Sequence, residues 1–159
     1  MFDNYDVFGN EYQENMENDI EYVKVPYGVY DVSISSIELK ETTKEPKRPM
    51  VTITYKVNSG DYKGCYIFQN QLIDTAQKTV IFNKTTLKKI IPESMLSTVD
   101  FIVKDFDGYK QLLNNIFGIS ADYDYQLNFD ANSKNADFDS YEIEKIFQKQ
   151  IDPEDLPFE

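Results

Sequence analysis

Residues 26–73 read PYGVYDVSISSIELKETTKEPKRPMVTITYKVNSGDYKGCYIFQNQLI, and the alternation inside this stretch decides the fold class. Tyr30, Val32 and Ile34 alternate with Asp31, Ser33 and Ser35, the period of two that turns one side of a strand to a core. After Ser35-Ser36 the apolar parity slips by one, to Ile37 and Leu39. One extra residue in an alternating strand is a β-bulge, and it bends the strand. A long, bent first strand from Val29 to Lys40 is therefore expected. Lys40 to Pro49 is a polar loop that carries Lys40, Lys44, Lys47 and Arg48. Met50 to Asn58 resumes the alternation, with Val51, Ile53, Tyr55 and Val57 on one face and Thr52, Thr54 and Lys56 on the other. Ser59-Gly60-Asp61 signals a tight turn whose glycine can supply a positive φ. Tyr62 to Ile73 follows as a third strand, interrupted by Gly64. Ile67 and Phe68 are adjacent in it, so periodicity leaves open which of them faces inward.

Beyond this meander the periodicity weakens between Asp74 and Phe106. Leu87, Ile90 and Ile91 have helical spacing until Pro92 interrupts, and Val99 to Val103 reads as a short extended piece. Asp107 to Phe117 is a clearer helix, with Leu112, Leu113, Ile116 and Phe117 on one face and Gly118 where a C-cap glycine is expected. Tyr123 to Phe129 and Phe138 to Phe147 read as two further strands joined by 130–137. Three strands, a helical region and two strands is the order of a five-stranded barrel of the oligonucleotide-binding (OB-fold) type. The expectation is an all-β domain with one or two helices between strands three and four. A mixed α+β domain is the other arrangement this order permits.

Length and charge set the organisation. A chain of 159 residues suits one domain, which at this size buries roughly 68–70% of its unfolded surface. The net charge of −12 is unevenly spread. Residues 1–22 hold seven acids and no base, and residues 113–159 hold eleven acids against Lys134, Lys145 and Lys149. Residues 23–112 hold thirteen bases against ten acids. This divides the chain into an acidic arm (1–22), a domain (23–149) and an acidic, flexible tail (150–159). The acidic start lacks the apolar run of a signal peptide, and no stretch approaches the ~20 apolar residues of a membrane helix. A lone cysteine, Cys65, forms no internal disulfide and is expected as a small buried strand residue. A cytoplasmic protein without membrane contact is the expectation.

Two resemblances sharpen the functional reading. Gly28-x-Tyr30 opens the first strand and Glu38-Leu39-Lys40 closes it; a basic loop follows, and Gly60-Asp61-Tyr62-Lys63-Gly64 leads into Ile67-Phe68-x-Asn70. In these features residues 26–73 resemble the amino-terminal half of a family of phage early-region single-stranded-DNA-binding proteins, once filed as a domain of unknown function. A weaker match runs on through the helix at 107–118 to Tyr141–Phe147. The chain's last residues, Asp152, Glu154, Asp155, Leu156, Pro157 and Phe158, are similar to the acidic tips of bacterial and phage single-stranded-DNA-binding proteins. One departure is Glu159, which stands beyond the phenylalanine that is terminal in the bacterial proteins. The resemblance implies a non-enzymatic protein that coats single-stranded DNA in replication or recombination and recruits other replication or recombination proteins through its tail. Barrels of this type associate through open strands, which makes a homodimer one expectation.

A groove that grips a single strand needs cations for phosphates and aromatic faces for bases. The candidates are Lys44, Lys47, Arg48, Lys56 and Lys63, with Tyr62, Tyr66 and Phe68 as stackers. Tyr55 shares parity with Val51, Ile53 and Val57 and is expected in the core. Other chemistry finds little support. The chain has no histidine, and it has neither a cysteine zinc set nor a phosphate-loop glycine motif, so neither metal nor cofactor is expected. Asp130-Ala-Asn132-Ser-Lys134 fails as a calcium loop at Asn135 and Tyr141. Asp122/Asp124 and Asp137/Asp139, which a magnesium-dependent nuclease would use, read better as a solvated acidic rim. The main rival is an acidic DNA mimic that blocks a host nuclease or defence complex. Acids clustered at the ends rather than along the domain argue against it.

Overall fold

The computed structural model describes residues 24–132 and 139–149. They contain five strands: β1 (Gly28–Glu41), β2 (Pro49–Val57), β3 (Tyr66–Leu72), β4 (Tyr123–Ala131) and β5 (Asp139–Gln148). All neighbours pair antiparallel in one sheet of order β3-β2-β1-β4-β5, so the described fold is strand-rich, as the alternation implied. The acidic arm and the tail with its tip residues lie outside the described residues.

β1 organises the sheet. Its first part, Gly28–Val32, pairs with β4, and the stretch Val32–Glu41 pairs with β2. The register slips between Ile34 and Ser36, where the change of apolar parity announced a bulge. Ser35 is the extra residue; it stands exposed, and Ile34 and Ile37 on either side both reach the core. The bend this produces lets one strand serve two partners. A second register shift falls between Gln126 and Leu127 in the β4–β5 pair. The ladder does not close: β3 and β5 remain edge strands. One hydrogen bond crosses between them, from the Tyr141 hydroxyl to the Phe68 carbonyl at 2.7 Å.

The β2–β3 turn is longer than the sequence suggested. Both Gly60 (φ 81°) and Gly64 (φ 88°) take left-handed backbone that a side chain would resist. The chain therefore stays in the turn until Cys65, whose carbonyl accepts from Val57 N at 2.9 Å. Cys65 is half-buried in that turn rather than sealed in a strand. Tyr62, expected in the third strand, is also in the turn.

Between β3 and β4 stand three helices. α1 (Ala76–Phe82) runs through a π-helical turn, Asn83–Leu87, directly into α2 (Lys88–Ile90). Thr75 caps the start, accepting from Lys78 N, and Ile91 turns to extended backbone ahead of Pro92, as a residue before proline prefers. A 3₁₀ turn (Glu93–Thr98) precedes α3 (Phe106–Ser120), capped by Asp105. Val99–Val103 forms no strand; the Asp100 side chain instead accepts from Ile102 N and folds the segment locally. Gly118 does not end α3, which continues two residues to Ser120 because Ser120 is buried there and donates to Phe117 O.

The inner face of the sheet and these helices enclose one core. Val32, Ile53, Tyr55, Leu87, Ile90, Leu113, Ile116, Tyr125 and Leu127 are all fully buried. Each buried phenol has an acceptor: Tyr55 donates to Gln69 Oε1 (2.6 Å), Tyr109 to Asn83 Oδ1 (2.7 Å) and Tyr125 to Ile90 O (2.7 Å). That pairing is what makes their burial affordable. Among the described residues no helix is long and apolar enough to cross a membrane.

Candidate functional site

The site is built from the outer face of β2 and β3. The pairing registers give rungs across it: Ser33–Lys56–Tyr66, then Ser36–Thr54–Phe68, then Glu38–Thr52–Asn70, then Lys40–Met50–Leu72. Two large rings stand out on this mostly polar surface. Tyr66 is 48% and Phe68 49% exposed, with ring centroids 6.4 Å apart and planes inclined by 31°. Lys56 is exposed directly across from Tyr66. Thr52 donates to Asn70 Oδ1 at 2.7 Å, which ties the two strands together on the same face.

β3 carries an inverted pattern. Its inner positions are Ile67, Gln69 and Gln71, which pair with Tyr55, Ile53 and Val51 of the core face. A buried Gln69, 7% exposed, thus sits where an apolar residue is usual, while Phe68 sits in water. Gln69 is tolerated because the Tyr55 hydroxyl bonds it. This answers the question periodicity left open: Ile67 faces in and Phe68 faces out.

The other expected residues divide between the two ends of β2, roughly 26 Å apart at ~3.3 Å per residue. Tyr62 and Lys63 belong to the turn beyond Val57. Lys63 is exposed, but Tyr62 is half-buried and packs edge-on against Tyr30, with centroids 6.3 Å apart. Lys44, Lys47 and Arg48 lie at the opposite end, in the loop before β2, all exposed. That loop is pinned at its neck: Thr42 N donates to Arg48 O and Arg48 N to Thr42 Oγ1, both at 2.9 Å. Arg48 also faces Asp74 at 3.6 Å, and Lys78 bonds the same carboxylate at 3.0 Å. The Lys78 hydrogen bond, helped by the Arg48 charge, holds the Asp74 carboxyl below its usual range. The face therefore brings together Lys56, Tyr66 and Phe68. It leaves Lys63 at one rim and Lys44, Lys47 and Arg48 at the other, with Tyr62 turned partly inward.

Sequence reasoning passed over the residues that cross the open seam. Tyr141 stacks on Phe129 (5.4 Å, 25°), and Tyr27 meets Phe129 edge-on (5.1 Å), its hydroxyl donating to Asp139 at 2.6 Å. With the Tyr141–Phe68 bond, this aromatic row ties the connecting end of the β4–β5 hairpin to the backbone of β3. The signal available was the adjacency of Tyr141 to the apolar positions of the last strand, but nothing in one sequence tells which strand it faces. An open cleft of about 590 Å³ adjoins the first rung at Ser33 and extends toward β4 and β5, lined also by Asp31, Asn58, Asp124 and Phe147 among others.

Charge is unevenly divided along the chain. The described residues hold fifteen bases and sixteen acids, so eleven of the twelve net negative charges belong to 1–23, 133–138 and 150–159. Among the described residues no three carboxylates or other ligating groups gather where they could hold a metal ion. The arrangement sets two half-exposed aromatic faces beside an ammonium group. Compared with protein-family models and with curated proteins, the chain matches none.

Proposed function

We propose that this chain is a non-enzymatic single-stranded-DNA-binding protein of the oligonucleotide-binding barrel class. The observation that carries the reading is the inverted β3, which holds Tyr66 and Phe68 in water beside Lys56 and sends a glutamine into the core instead. Exposing two large rings in this way forgoes their burial, and base stacking is a use that repays it: each stacked base is worth ~1–3 kcal/mol. The strand order, a bulged β1 shared between two partners, and helices between β3 and β4 support the barrel class, whose binding face is the outer side of strands two and three. The Tyr141 bridge stands where closure of such a barrel is needed. In this reading Lys44, Lys47, Arg48, Lys56 and Lys63 meet phosphates, the ring pair meets bases, and the acidic tip at 152–158 recruits replication or recombination proteins. The described residues, near neutral in sum, do not themselves carry the repulsion that a net charge of −12 suggests.

The test is a titration with oligo-dT, followed by tyrosine fluorescence across a range of salt. Quenching is expected, with a log–log salt slope near −0.7 for each phosphate contacted. The same titration on residues 1–149 is expected to show tighter binding at low salt, where an anionic tail competes best. Absence of both quenching and slope in the full chain removes this function.

A further inference from the structure

Moving along the outer face from Tyr66 toward the basic loop, the last rung is Lys40–Met50–Leu72. Beyond it, between the end of β1 and the start of α3, lies a cleft of about 390 Å³ whose lining includes Lys40, Lys47, Lys110, Glu41 and Phe106. Phe106 opens α3 and is 56% exposed. It lies three residues before Tyr109 and so continues the helix stripe formed by Tyr109, Leu113 and Ile116. Those three reach the core, whereas Phe106 overhangs its edge. An aromatic ring that belongs to a core stripe is thus left in water, in a cleft lined by three lysines and Glu41; Lys40 is also paired with Glu38 at 3.0 Å, and Asp105 and Asp107 flank the ring in the chain. Lys47 joins this cleft directly to the basic loop.

We infer that the cleft is a second nucleic-acid subsite, in which one further base of the bound single strand stacks on Phe106 while Lys40, Lys47 and Lys110 meet its phosphates. The inference rests on the function proposed above and extends it. Charge complementarity and continuity with the loop choose the occupant: a polyanion leaving the ring pair toward the loop end of β2 arrives among these lysines. The spacing is compatible. Phe68 to Leu72 spans roughly 13 Å along β3 at ~3.3 Å per residue, and the cleft lies past that point. At ~3.4 Å per stacked nucleotide, about four nucleotides or more separate the ring pair from Phe106. A strand touching both ends falls within the ~4–16 nucleotides that such barrels cover.

The experiment compares Phe106→Ala, Phe106→Tyr and Phe68→Ala with the unaltered chain, using oligo-dT of about twelve nucleotides and with denaturation midpoints as a control for folding. Phe106→Ala is expected to weaken binding about 5- to 150-fold, the equivalent of one lost stack, and Phe106→Tyr to retain it. If Phe106→Ala binds like the unaltered chain while Phe68→Ala is impaired, the subsite is wrong and the proposed function stands. If the unaltered chain does not bind at all, both fall. A cleft built for an apolar peptide instead of a nucleic acid gives the first of these results.

Discussion

Tyr55 and Tyr66 sit on adjacent strands, one rung apart, and meet opposite environments. Tyr55 lies on the inner face of β2, fully buried, its hydroxyl bonded to Gln69. Tyr66 lies on the outer face of β3, across from Lys56, with half its surface in water. The same side chain is a structural element in one place and an available binding surface in the other, and strand parity alone separates the two. On the proposed function, the inner face therefore governs stability and the outer face affinity. The largest effects should come from tests that try to make one face behave like the other.

Truncating the inner face should destabilise most. Tyr55→Ala and Tyr125→Ala each leave a ring-sized cavity and are expected to cost about 3–5 kcal/mol, read as a lowered denaturant midpoint. The inner tyrosines also predict a response to alkali. Burial pushes Tyr55, Tyr109 and Tyr125 far above the ordinary phenol range, and burial, with the Asp139 charge, pushes Tyr141 up to about 12. In the unfolded chain these phenols lose their protons near pH ~10, so above that pH the unfolded state binds fewer protons than the folded one. Their contribution is complete below pH ~10 and is lost as pH rises toward 12. Phenolate absorbance should show these rings ionising together with unfolding; independent ionisation of all tyrosines before unfolding would erase the distinction between the faces.

The outer face should show the reverse profile. Tyr66→Ala and Phe68→Ala are each expected to weaken oligo-dT binding by ~1–3 kcal/mol, while stability stays within about 0.5 kcal/mol of the unaltered chain. Denaturation and titration of the same preparations check both halves. A Tyr66→Ala chain as destabilised as Tyr55→Ala would mean that the ring is part of the fold after all.

How much of this could be read beforehand follows from the same contrast. β1 and β2 were legible because each alternates cleanly, and the slip at Ser35-Ser36 even located the bulge. Tyr55 declared itself core by its parity with Val51, Ile53 and Val57. β3 was not legible: Tyr66-Ile67-Phe68 is apolar at three consecutive positions, yet only Ile67 of the three goes inside, and Gln69, a polar residue, joins it there. Local pattern and tertiary demand disagree there, and such disagreement is typical of functional surfaces. Tyr62 misled because Gly64 holds a left-handed conformation that keeps residues 62–65 in the turn. Phe106 and Tyr141 were missed because their neighbours come from distant segments. The helical stretch 76–90 was faint because its π turn breaks the 3.6-residue period.

The smallest expected effect separates the cations. Lys56 and Arg48 both carry one positive charge and both are exposed, yet Arg48 faces Asp74 at 3.6 Å, whereas among the described residues Lys56 has no such acid. Counterions gather on a free ammonium's phosphate partner and are released on contact, but an arginine already facing a carboxylate must exchange one anion for another. Lys56→Gln should therefore flatten the log–log salt slope by about 0.7, the share of one phosphate on a single strand. Arg48→Gln should flatten it by less, and its loss of affinity should narrow further when Asp74→Asn is added, since that change frees Lys78 in the same place. Equal slopes for the two single variants would show that the loop supplies as much phosphate contact as the ring-bearing face. The centre of the interface would then shift from β3 toward the cleft at Phe106.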